Sequence, residues 1–453
     1  MSARFTYRNS IAAMLAAPTL LMAGGMASAA DEAFSLSRTF AIPGNPVTNP
    51  GGGFASADIS FVDSEAGLWM LADRTNKSLD VIDLNFNTVH QIIPGGAGAF
   101  QGVRNRNGAA DNEISGPNGV VTVNHREAWA SDAPPGAVTG VAPNQVFTPT
   151  GGSTVKVIDL RTQQVTDVLD TGGNHRADEV AFDPDDQVFI VANPADEPTP
   201  FVTLFSTRPG HKLLKKIFLD GKHGRPLVTP DNGIEQPAWS PKTGLIYVAL
   251  PVLGDDPNVT NIGGILVIDP RGDSDDIRVV ETFKIHDCTP QGLALGPNFE
   301  AFLGCNAPGR TLIIDIRNGH EILSVPQLAG GCDEVWYNPG DNHYFGACNQ
   351  GNNAVSAING NVLGSIDAGR GHRSLPRFDS NVATKPNGHG GNIHSLAADA
   401  FTNRVFVALP RAGATNNDIC ANAGSSNGCI AVFTTTNDDP PFVEDEDHDR
   451  DRR

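Results

Sequence analysis

One unit recurs along the chain, and its repetition restricts the possible folds more than any other feature. A short apolar stretch ends in a turn, and further β-rich stretches follow it before the next unit starts. The first stretch is clearest as DEVAFDP (178–184), QPAWSP (236–241), GLALGP (292–297) and DEVWYNP (333–339). Looser forms are DISFVD (58–63), NGVVTVN (118–124) and HSLAAD (394–399). Such self-similarity at a long period indicates a repeat architecture.

Each unit continues with stretches that read as further strands. The second stretches are LWMLAD, EAWASD, VFIVAN, LIYVAL, AFLGCN, YFGACN and VFVALP, and third stretches include LDVIDL (79–84), VKVIDL (155–160) and ILVIDP (265–270). Seven units of four short antiparallel strands predict an all-β, seven-bladed β-propeller. The last unit stops after its third strand, whereas 34–40 near the N-terminus is an unassigned strand. We expect that strand to complete the last blade and close the ring without an open edge.

Two segments carry a family resemblance. LWMLADRTNKSLDVIDLNFNTV and STVKVIDLRTQQVTDVL resemble the YVTN-type propeller repeats of bacterial surface and periplasmic proteins, and the resemblance extends over nearly the whole chain after residue 29. It implies the fold and says almost nothing about activity. Separately, Gly116-Pro117-Asn118-Gly119 resembles the PNG segment of SMP-30/gluconolactonase-like propellers. That second resemblance implies a metal-ligand role for Asn118.

The N-terminus has the three parts of a secretory signal peptide. Arg4 and Arg8 form a basic region, 11–22 is apolar, and Ala27-Ser28-Ala29 is a cleavage motif. The alternative is a membrane anchor, but Pro18 interrupts the apolar run, which is shorter than the roughly 20 residues of a spanning helix. We therefore expect a signal peptide at 1–29, a propeller at 30–436, a charged disordered tail at 437–453, and a periplasmic or secreted protein.

The net charge of the chain argues against some classes of binding partner. The formal net charge of −19 argues against nucleic acid and anionic lipid, because both are bound through Lys/Arg surfaces. A small-molecule ligand, a metal ion or a protein partner remains compatible, and no segment after the signal peptide predicts a membrane span.

The first strand of each blade lines the axial channel of a propeller, so the residues at the strand starts form a ring. Our alignment gives Ala57, Asn118, Asp178, Glu235, Gln291, Asp333 and His394. A slip of one residue would substitute Asp58, Glu179, Gln236 or Glu334 for some of them. Either register predicts an acidic ring at the channel mouth. The alternative is that these polar residues only hydrate a water-filled channel.

Carboxylate and amide oxygens together are the ligands of a hard cation such as Ca²⁺. The predicted ligands of a divalent metal are Asn118, Asp178, Glu235, Gln291 and Asp333. A histidine or a carboxylate beside the metal could activate water by taking its proton. The predicted catalytic residues are therefore His394, His175 and Asp333.

Two long loops, 95–116 and 369–391, are expected to cover the channel entrance. Arg104, Arg106, Arg370 and Arg373 in these loops could hold a carboxylate or a phosphate. The alternative is that these arginines are simply solvated.

Six cysteines follow the signal peptide, an even number that suits an oxidising compartment. Cys288 and Cys305 flank the first two strands of one unit, and Cys332 and Cys348 flank those of the next. Antiparallel neighbours at that end can meet disulfide geometry. The predicted disulfides are Cys288–Cys305, Cys332–Cys348 and, by elimination, Cys420–Cys429. The alternative, a thiolate metal site, lacks C-x-x-C spacing.

The sequence leaves several functions open. It favours a propeller that binds a metal or a small ligand in an acidic channel, with a metal-dependent lactonase- or esterase-like hydrolase, or a lyase, as the enzymatic form. A non-catalytic binding or interaction module is the alternative, because one fold hosts many functions. A subunit of a periplasmic redox enzyme comes third, since no C-x-x-C-H haem motif is present.

Overall fold

The strands follow the predicted repeat. The computed structural model describes residues 34–230, 233–254, 262–306, 310–325, 330–350, 362–367, 378–379, 394–411, 419–420 and 427–435. The predicted signal peptide, most of the 369–391 loop and the predicted tail lie outside these residues. Apolar side chains dominate the second strands and, outside sheet 6, the third strands of the repeats, and most of these side chains are buried.

Seven antiparallel sheets each contain four strands in the described residues. Strand β1 (Phe34–Ala41) precedes them. Sheet 1 consists of β2 (Ser60–Asp63), β3 (Leu68–Asp73), β4 (Ser78–Asp83) and β5 (Thr88–Ile92). A small hairpin of β6 (Asn105–Arg106) and β7 (Ala109–Ala110) follows. Sheet 2 consists of β8 (Val120–Val123), β9 (Glu127–Asp132), β12 (Thr154–Asp159) and β13 (Gln164–Asp170), with the hairpin β10 (Gly136–Thr139) and β11 (Val146–Pro149) inserted.

The next three sheets keep the same order of strands. Sheet 3 consists of β14 (Val180–Asp183), β15 (Val188–Asn193), β16 (Phe201–Ser206) and β17 (Leu213–Phe218). Sheet 4 consists of β18 (Pro237–Ser240), β19 (Leu245–Leu250), β20 (Ile262–Asp269) and β21 (Arg278–His286). Sheet 5 consists of β22 (Pro290–Leu295), β23 (Glu300–Cys305), β24 (Arg310–Asp315) and β25 (His320–Val325).

The last two sheets differ from the others in their outer strands. Sheet 6 consists of β26 (Gly330–Asn338), β27 (His343–Gln350), β28 (Val362–Asp367) and the two-residue β29 (Phe378–Asp379). Sheet 7 consists of β30 (Leu396–Asp399), β31 (Arg404–Pro410), β32 (Gly428–Thr435) and β1. The chain is therefore an all-β propeller of four-stranded antiparallel blades. Six blades have four strands of at least four residues in the described part.

The first strands lie side by side. Each of β2, β8, β14, β18, β22, β26 and β30 contacts the first strand of the next sheet, and β30 also contacts β2. Apolar side chains fill the space between neighbouring sheets. Between sheets 3 and 4, for example, Ile190 and Leu204 belong to the same buried cluster as Ile246 and Leu266. This packing holds the starts of the first strands close to one another.

The predicted pairing of the N-terminal strand is found. Strand β1 runs antiparallel to β32, with Phe40 opposite Ile430 and Ala41 opposite Cys429. Phe40 is buried in a cluster that includes Ile430, Val432 and Phe406. Apolar burial thus adds to the ladder of backbone hydrogen bonds in holding the two ends of the chain together.

All three predicted disulfides are confirmed. The Cα atoms are 5.1 Å apart in Cys288–Cys305 and 5.4 Å apart in Cys420–Cys429, and Cys332 pairs with Cys348 directly across β26 and β27. Such bonds are typical of proteins that fold in oxidising compartments.

Replacing the buried anchor of β1 tests this pairing. We expect Phe40→Ala to lower the free energy of unfolding by about 3 kcal/mol, because the change removes a buried ring and leaves a cavity. Urea denaturation measures the loss. The control Ser35→Ala changes an exposed residue of the same strand and should have little effect. Equal stabilities of the two variants would contradict the role of β1.

Candidate functional site

A shared backbone hydrogen bond defines the equivalent position in the repeats. In four repeats, an N–H at the start of the first strand donates to the carbonyl of the second-to-last residue of the second strand. The pairs are Asp58–Ala72, Asn118–Ser131, Asp178–Ala192 and Glu235–Ala249, at 2.8–3.0 Å. The alignment of Ala57 with this position is therefore wrong by one residue, because pairing with β3 fixes the register and puts Asp58 there.

Charged side chains gather where the first strands begin. We call this group the axial cluster, and it contains six carboxyl groups and three cationic groups. Its members are Asp58, Asp178, Glu179, Glu235, Asp333, Glu334, Arg74, Arg176 and His394. Both registers considered for the sequence contribute members. The first register contributes Asp178, Glu235, Asp333 and His394, and the register shifted by one residue contributes Asp58, Glu179 and Glu334.

His394 lies between two carboxylates. Its Nε2 is 2.8 Å from Asp58 Oδ1, and its Nδ1 is 2.8 Å from Asp333 Oδ2. Burial alone would lower the pKa of His394, but Asp333 and Asp58 outweigh it and raise that pKa well above 6.5. Both ring nitrogens therefore carry protons at neutral pH and donate to the carboxylates. In this state His394 cannot act as the general base for which the sequence suggested it.

Arg74 is a member that sequence reasoning missed. It follows the last residue of β3, forms an ion pair with Asp58, and donates from Nε to Asn118 Oδ1 at 2.9 Å. Asn118 in turn donates from Nδ2 to the Ala177 carbonyl at 2.7 Å. Burial raises the pKa of Asp58, but Arg74 and His394 outweigh burial and hold it below its usual range. Both ends of the Asn118 amide are thus engaged within the protein.

Arg176 is the second cation that sequence reasoning missed. Its Nη2 is 2.8 Å from Asp178 Oδ2, and its Nε is 3.7 Å from Glu113 Oε2. Glu113 belongs to the short 3-10 turn Asn112–Ile114 of the 95–116 loop, and its carbonyl accepts from the Arg176 backbone N–H at 2.8 Å. Burial raises the pKa of Asp178 to about 7, against the opposing effect of Arg176. The loop therefore contributes directly to the charge balance of the cluster.

Three glutamates form the remainder of the cluster. Burial and neighbouring carboxylates raise the pKa of Glu179, Glu235 and Glu334 well above 4.5. Side-chain hydrogen bonds join Glu179 to both of the other two. Gln236 donates from Nε2 to Glu334 Oε2 at 2.8 Å. Among the described residues, Glu179 Oε2, Glu334 Oε1 and Asp333 Oδ1 are buried without a hydrogen-bond partner.

Two predicted site residues, Gln291 and His175, form backbone hydrogen bonds to residues that are not members of the axial cluster. Gln291 accepts a hydrogen bond from the Gln236 backbone N–H through its main-chain carbonyl, at 3.3 Å. The backbone N–H of His175 bonds to Asp196, which is not part of the axial cluster. His175 Nδ1 is buried without a hydrogen-bond partner in the part of the chain that the structure describes.

Three of the five predicted Ca²⁺ ligands, Asn118, Asp178 and Asp333, already have partners within the protein. A calcium ion takes six to eight oxygen ligands. The Asn118 amide is engaged, and Asp58, Asp178 and Asp333 each face a guanidinium or imidazolium group. Within the described ranges, no group of three or more His, Cys, Asp or Glu side chains has the arrangement of a metal site. The protein's own cations already balance these carboxylates.

The axial channel is a cavity of about 940 Å³ lined by the first strands. Glu179, Gln236 and Glu334 line it where the strands start, and the turns after the strands, including Asp63 to Glu65 and His125, line it where they end. Phe61, Val121, Phe182, Trp239, Leu293 and Trp336 are among the side chains in between. Of the axial cluster, Glu179 and Glu334 are the members among the described lining residues, and we call the part of the cavity around them its inner end.

Arg104 and Arg106 form hydrogen bonds and ion pairs with nearby protein groups. Arg104 donates from Nη1 to the carbonyls of Ile114 and Pro134, at 3.0 and 2.7 Å, and Arg106 forms an ion pair with Asp111. These two side chains therefore stabilise the 95–116 loop and do not form the predicted anion site. Arg370 and Arg373 lie outside the described residues.

Comparison with known proteins supports the fold alone. No family model matches the chain, and no curated protein matches it. A chain in "Crystal Structure of Mitotic Checkpoint Complex" matches with a TM-score of 0.53 and 11% sequence identity, over 95% of this chain and 100% of that chain. This similarity agrees with the propeller architecture. Within the described residues, no helix is long and apolar enough to span a membrane.

The protonation of His394 can be measured directly. We expect its NMR titration midpoint to lie well above 6.5, because two carboxylates stabilise the imidazolium. The midpoint of His90 should lie below 6.5, since burial lowers its pKa. Labelled histidine and the variants His394→Gln and His90→Gln provide the assignments.

The raised pKa of His394 also makes the free energy of unfolding depend on pH. The folded state holds the His394 proton more tightly than the unfolded state, so the stabilisation is full below pH 6.5 and is lost as the pH rises through the raised value. Stability should therefore fall more steeply above pH 6.5 in the wild type than in His394→Gln. A normal midpoint for His394 would contradict the bridging geometry.

Proposed function

We propose that this protein is a seven-bladed propeller that binds a small ligand in its axial channel and does not itself catalyse a reaction. The proposed ring includes sheet 6, whose outer strand is short in the described residues. The contacts between successive first strands, the contact of β30 with β2, and the pairing of β1 with β32 support closure of the ring. The proposed YVTN-type relationship rests on the repeat sequences quoted above.

The cavity of about 940 Å³, with buried and unpartnered carboxyl oxygens at its inner end, carries this proposal. Small-molecule sites are mostly apolar clefts of about 300–1,000 Å³ with a few convergent polar groups. A buried polar atom without a partner is unfavourable unless a ligand or water satisfies it. Glu179 Oε2 and Glu334 Oε1 are two such atoms, and both residues line the cavity.

We do not extend the proposal to hydrolysis, because the predicted machinery is engaged in ion pairs. His394 holds its proton between Asp58 and Asp333. Asp178 has a pKa of about 7, which suits proton transfer, but its carboxylate pairs with Arg176 and it does not line the cavity.

The proposal includes export from the cytoplasm and a periplasmic location. Three disulfides support an oxidising compartment, and the pattern of residues 1–29 supports a signal peptide. A protein partner is the alternative ligand, since the similar solved chain belongs to the structure of a protein complex.

Filling the channel tests the proposal. Ala238 lies on β18 and lines the cavity, so Ala238→Phe should obstruct it, whereas Ala137→Phe adds the same ring to the exposed hairpin strand β10. The neutral fluorophore N-phenylnaphthylamine should bind the wild type and Ala137→Phe with equal affinity. Its affinity for Ala238→Phe should fall by roughly tenfold or more, because the apolar contact area is lost.

Circular dichroism and thermal melting establish that both variants fold. Undiminished binding of the fluorophore to folded Ala238→Phe would refute the channel as the binding site.

A further inference from the structure

We infer that the axial channel selects an organic cation: a protonated amine carried on an apolar or aromatic body, with its ammonium group against Glu179 and Glu334. This inference rests on the proposed function and adds the chemical class of the ligand. The charge of the lining, the character of the walls and the geometry of the inner end support it.

The ionisable side chains that line the cavity are almost all acidic. Asp63 and Glu65 lie near the mouth, and Glu179 and Glu334 lie at the inner end, whereas no described lining residue is Lys or Arg. His125 is the one lining histidine in the described residues, and it is 2.8 Å from Asp63 and 3.1 Å from Glu65. A cavity lined by charges of one sign concentrates ligands of the opposite sign.

The walls suit an organic body better than a bare metal ion. Phe61, Phe182, Trp239 and Trp336 present aromatic surface to the cavity, and Phe61 packs edge-on against Trp336 with ring centroids 5.6 Å apart. Aromatic faces attract cations, and apolar surface stabilises the rest of an amphiphilic ligand. A hydrated divalent ion gains nothing from such walls.

The inner end is shaped to receive hydrogen-bond donors. Glu334 is 2% exposed and Glu179 is 3% exposed, and each has one carboxyl oxygen without a partner. Gln236 is held by the Leu293 backbone N–H, which donates to its Oε1 at 2.6 Å, so its own amide donates to the other oxygen of Glu334. An ammonium group carries three donors and no acceptor, which matches two unpartnered carboxyl oxygens.

The charges around Glu179 and Glu334 predict that binding of an ammonium ligand changes the protonation of these two carboxyl groups. Glu179 and Glu334 lie among four other carboxyl groups, and His394 acts on Glu334, whereas Arg74 and Arg176 pair with Asp58 and Asp178. The carboxyl members are Asp58, Asp178, Glu235 and Asp333. Burial and like charges raise the pKa of Glu179 and Glu334 well above 4.5, so these two groups hold protons more tightly than ordinary glutamates do. An ammonium group favours the ionised carboxylates, so its binding should release protons and tighten as the pH rises, until the amine itself deprotonates.

A matched pair of ligands tests the inference. Phenylbutylammonium and phenylbutanol have the same apolar body and differ in the charge of the head. Titration calorimetry should show the ammonium binding at least about tenfold more tightly, as expected for hydrogen bonds to a charged group. Titrations in phosphate and in Tris should give different heats, because released protons are taken up by the buffer. Fluorescence of Trp239 and Trp336 reports occupancy of the channel.

Substitution at the inner end separates charge from shape. Glu334→Gln should weaken ammonium binding by about tenfold and leave phenylbutanol binding unchanged, since the side chain keeps its size. Glu281→Gln removes an exposed carboxylate from β21 and should change neither. N-phenylnaphthylamine binding verifies an intact channel in each variant, and Glu179→Gln replaces Glu334→Gln if the latter does not fold.

The outcomes distinguish this inference from the function on which it rests. Equal affinity for phenylbutanol and phenylbutylammonium, or undiminished binding of the ammonium by Glu334→Gln, would overturn the cation preference. The channel proposal would still stand in that case if Ala238→Phe blocks the binding of these ligands. Displacement of the ammonium by Ca²⁺ at similar concentration also overturns it, in favour of a metal site. Failure of both ligands and of N-phenylnaphthylamine to bind refutes the channel proposal itself.

Discussion

The structure depends on one electrostatic constraint: the first strands converge, so their leading residues must share a small buried volume. Six carboxyl groups meet there, and burial makes each charge unfavourable unless a partner compensates it. Arg74, Arg176 and His394 provide that compensation for Asp58, Asp178 and Asp333. Glu179 and Glu334 have no ion pair of this kind, burial and like charges raise their pKa, and each keeps one carboxyl oxygen without a partner at the end of the channel.

Much of the fold follows from local sequence. The alternation of apolar residues and the turn after each first strand predict the blades, and cysteines at facing strand ends predict the disulfides. The position of β1 also follows, because the last repeat lacks a strand and the N-terminal segment is a strand without a repeat. Each of these inferences uses either the residue pattern of one short segment or the number of strands per repeat, and neither depends on contacts between distant parts of the chain.

The candidate site was harder to predict because the local sequence does not show which side chains near the strand starts turn toward the axis. Arg74 directly follows β3 and Arg176 precedes Asp178 by two residues, but nothing local shows that they turn toward the axis. The one-residue displacement at Ala57 has a similar cause, since cross-strand hydrogen bonds to β3 fix that register. The acidic positions were identified from sequence, whereas the cations that pair with the aspartates required three-dimensional contacts.

Contacts of the axial cluster link separate repeats, since His394 pairs with both Asp58 and Asp333 and Arg74 donates to Asn118, and these links limit how the sequence can change. Replacing Arg74 alone would remove the donor to Asn118 Oδ1 and leave Asp58 paired with His394 alone. Replacing Asp58 alone would remove the ion-pair partner of Arg74 and leave His394 paired with Asp333 alone. Residues coupled in one network have non-additive effects on stability. The surface of each blade can therefore vary residue by residue, but the positions around the axis are expected to vary in compensating sets, so that repeats which began alike diverge together at their centre.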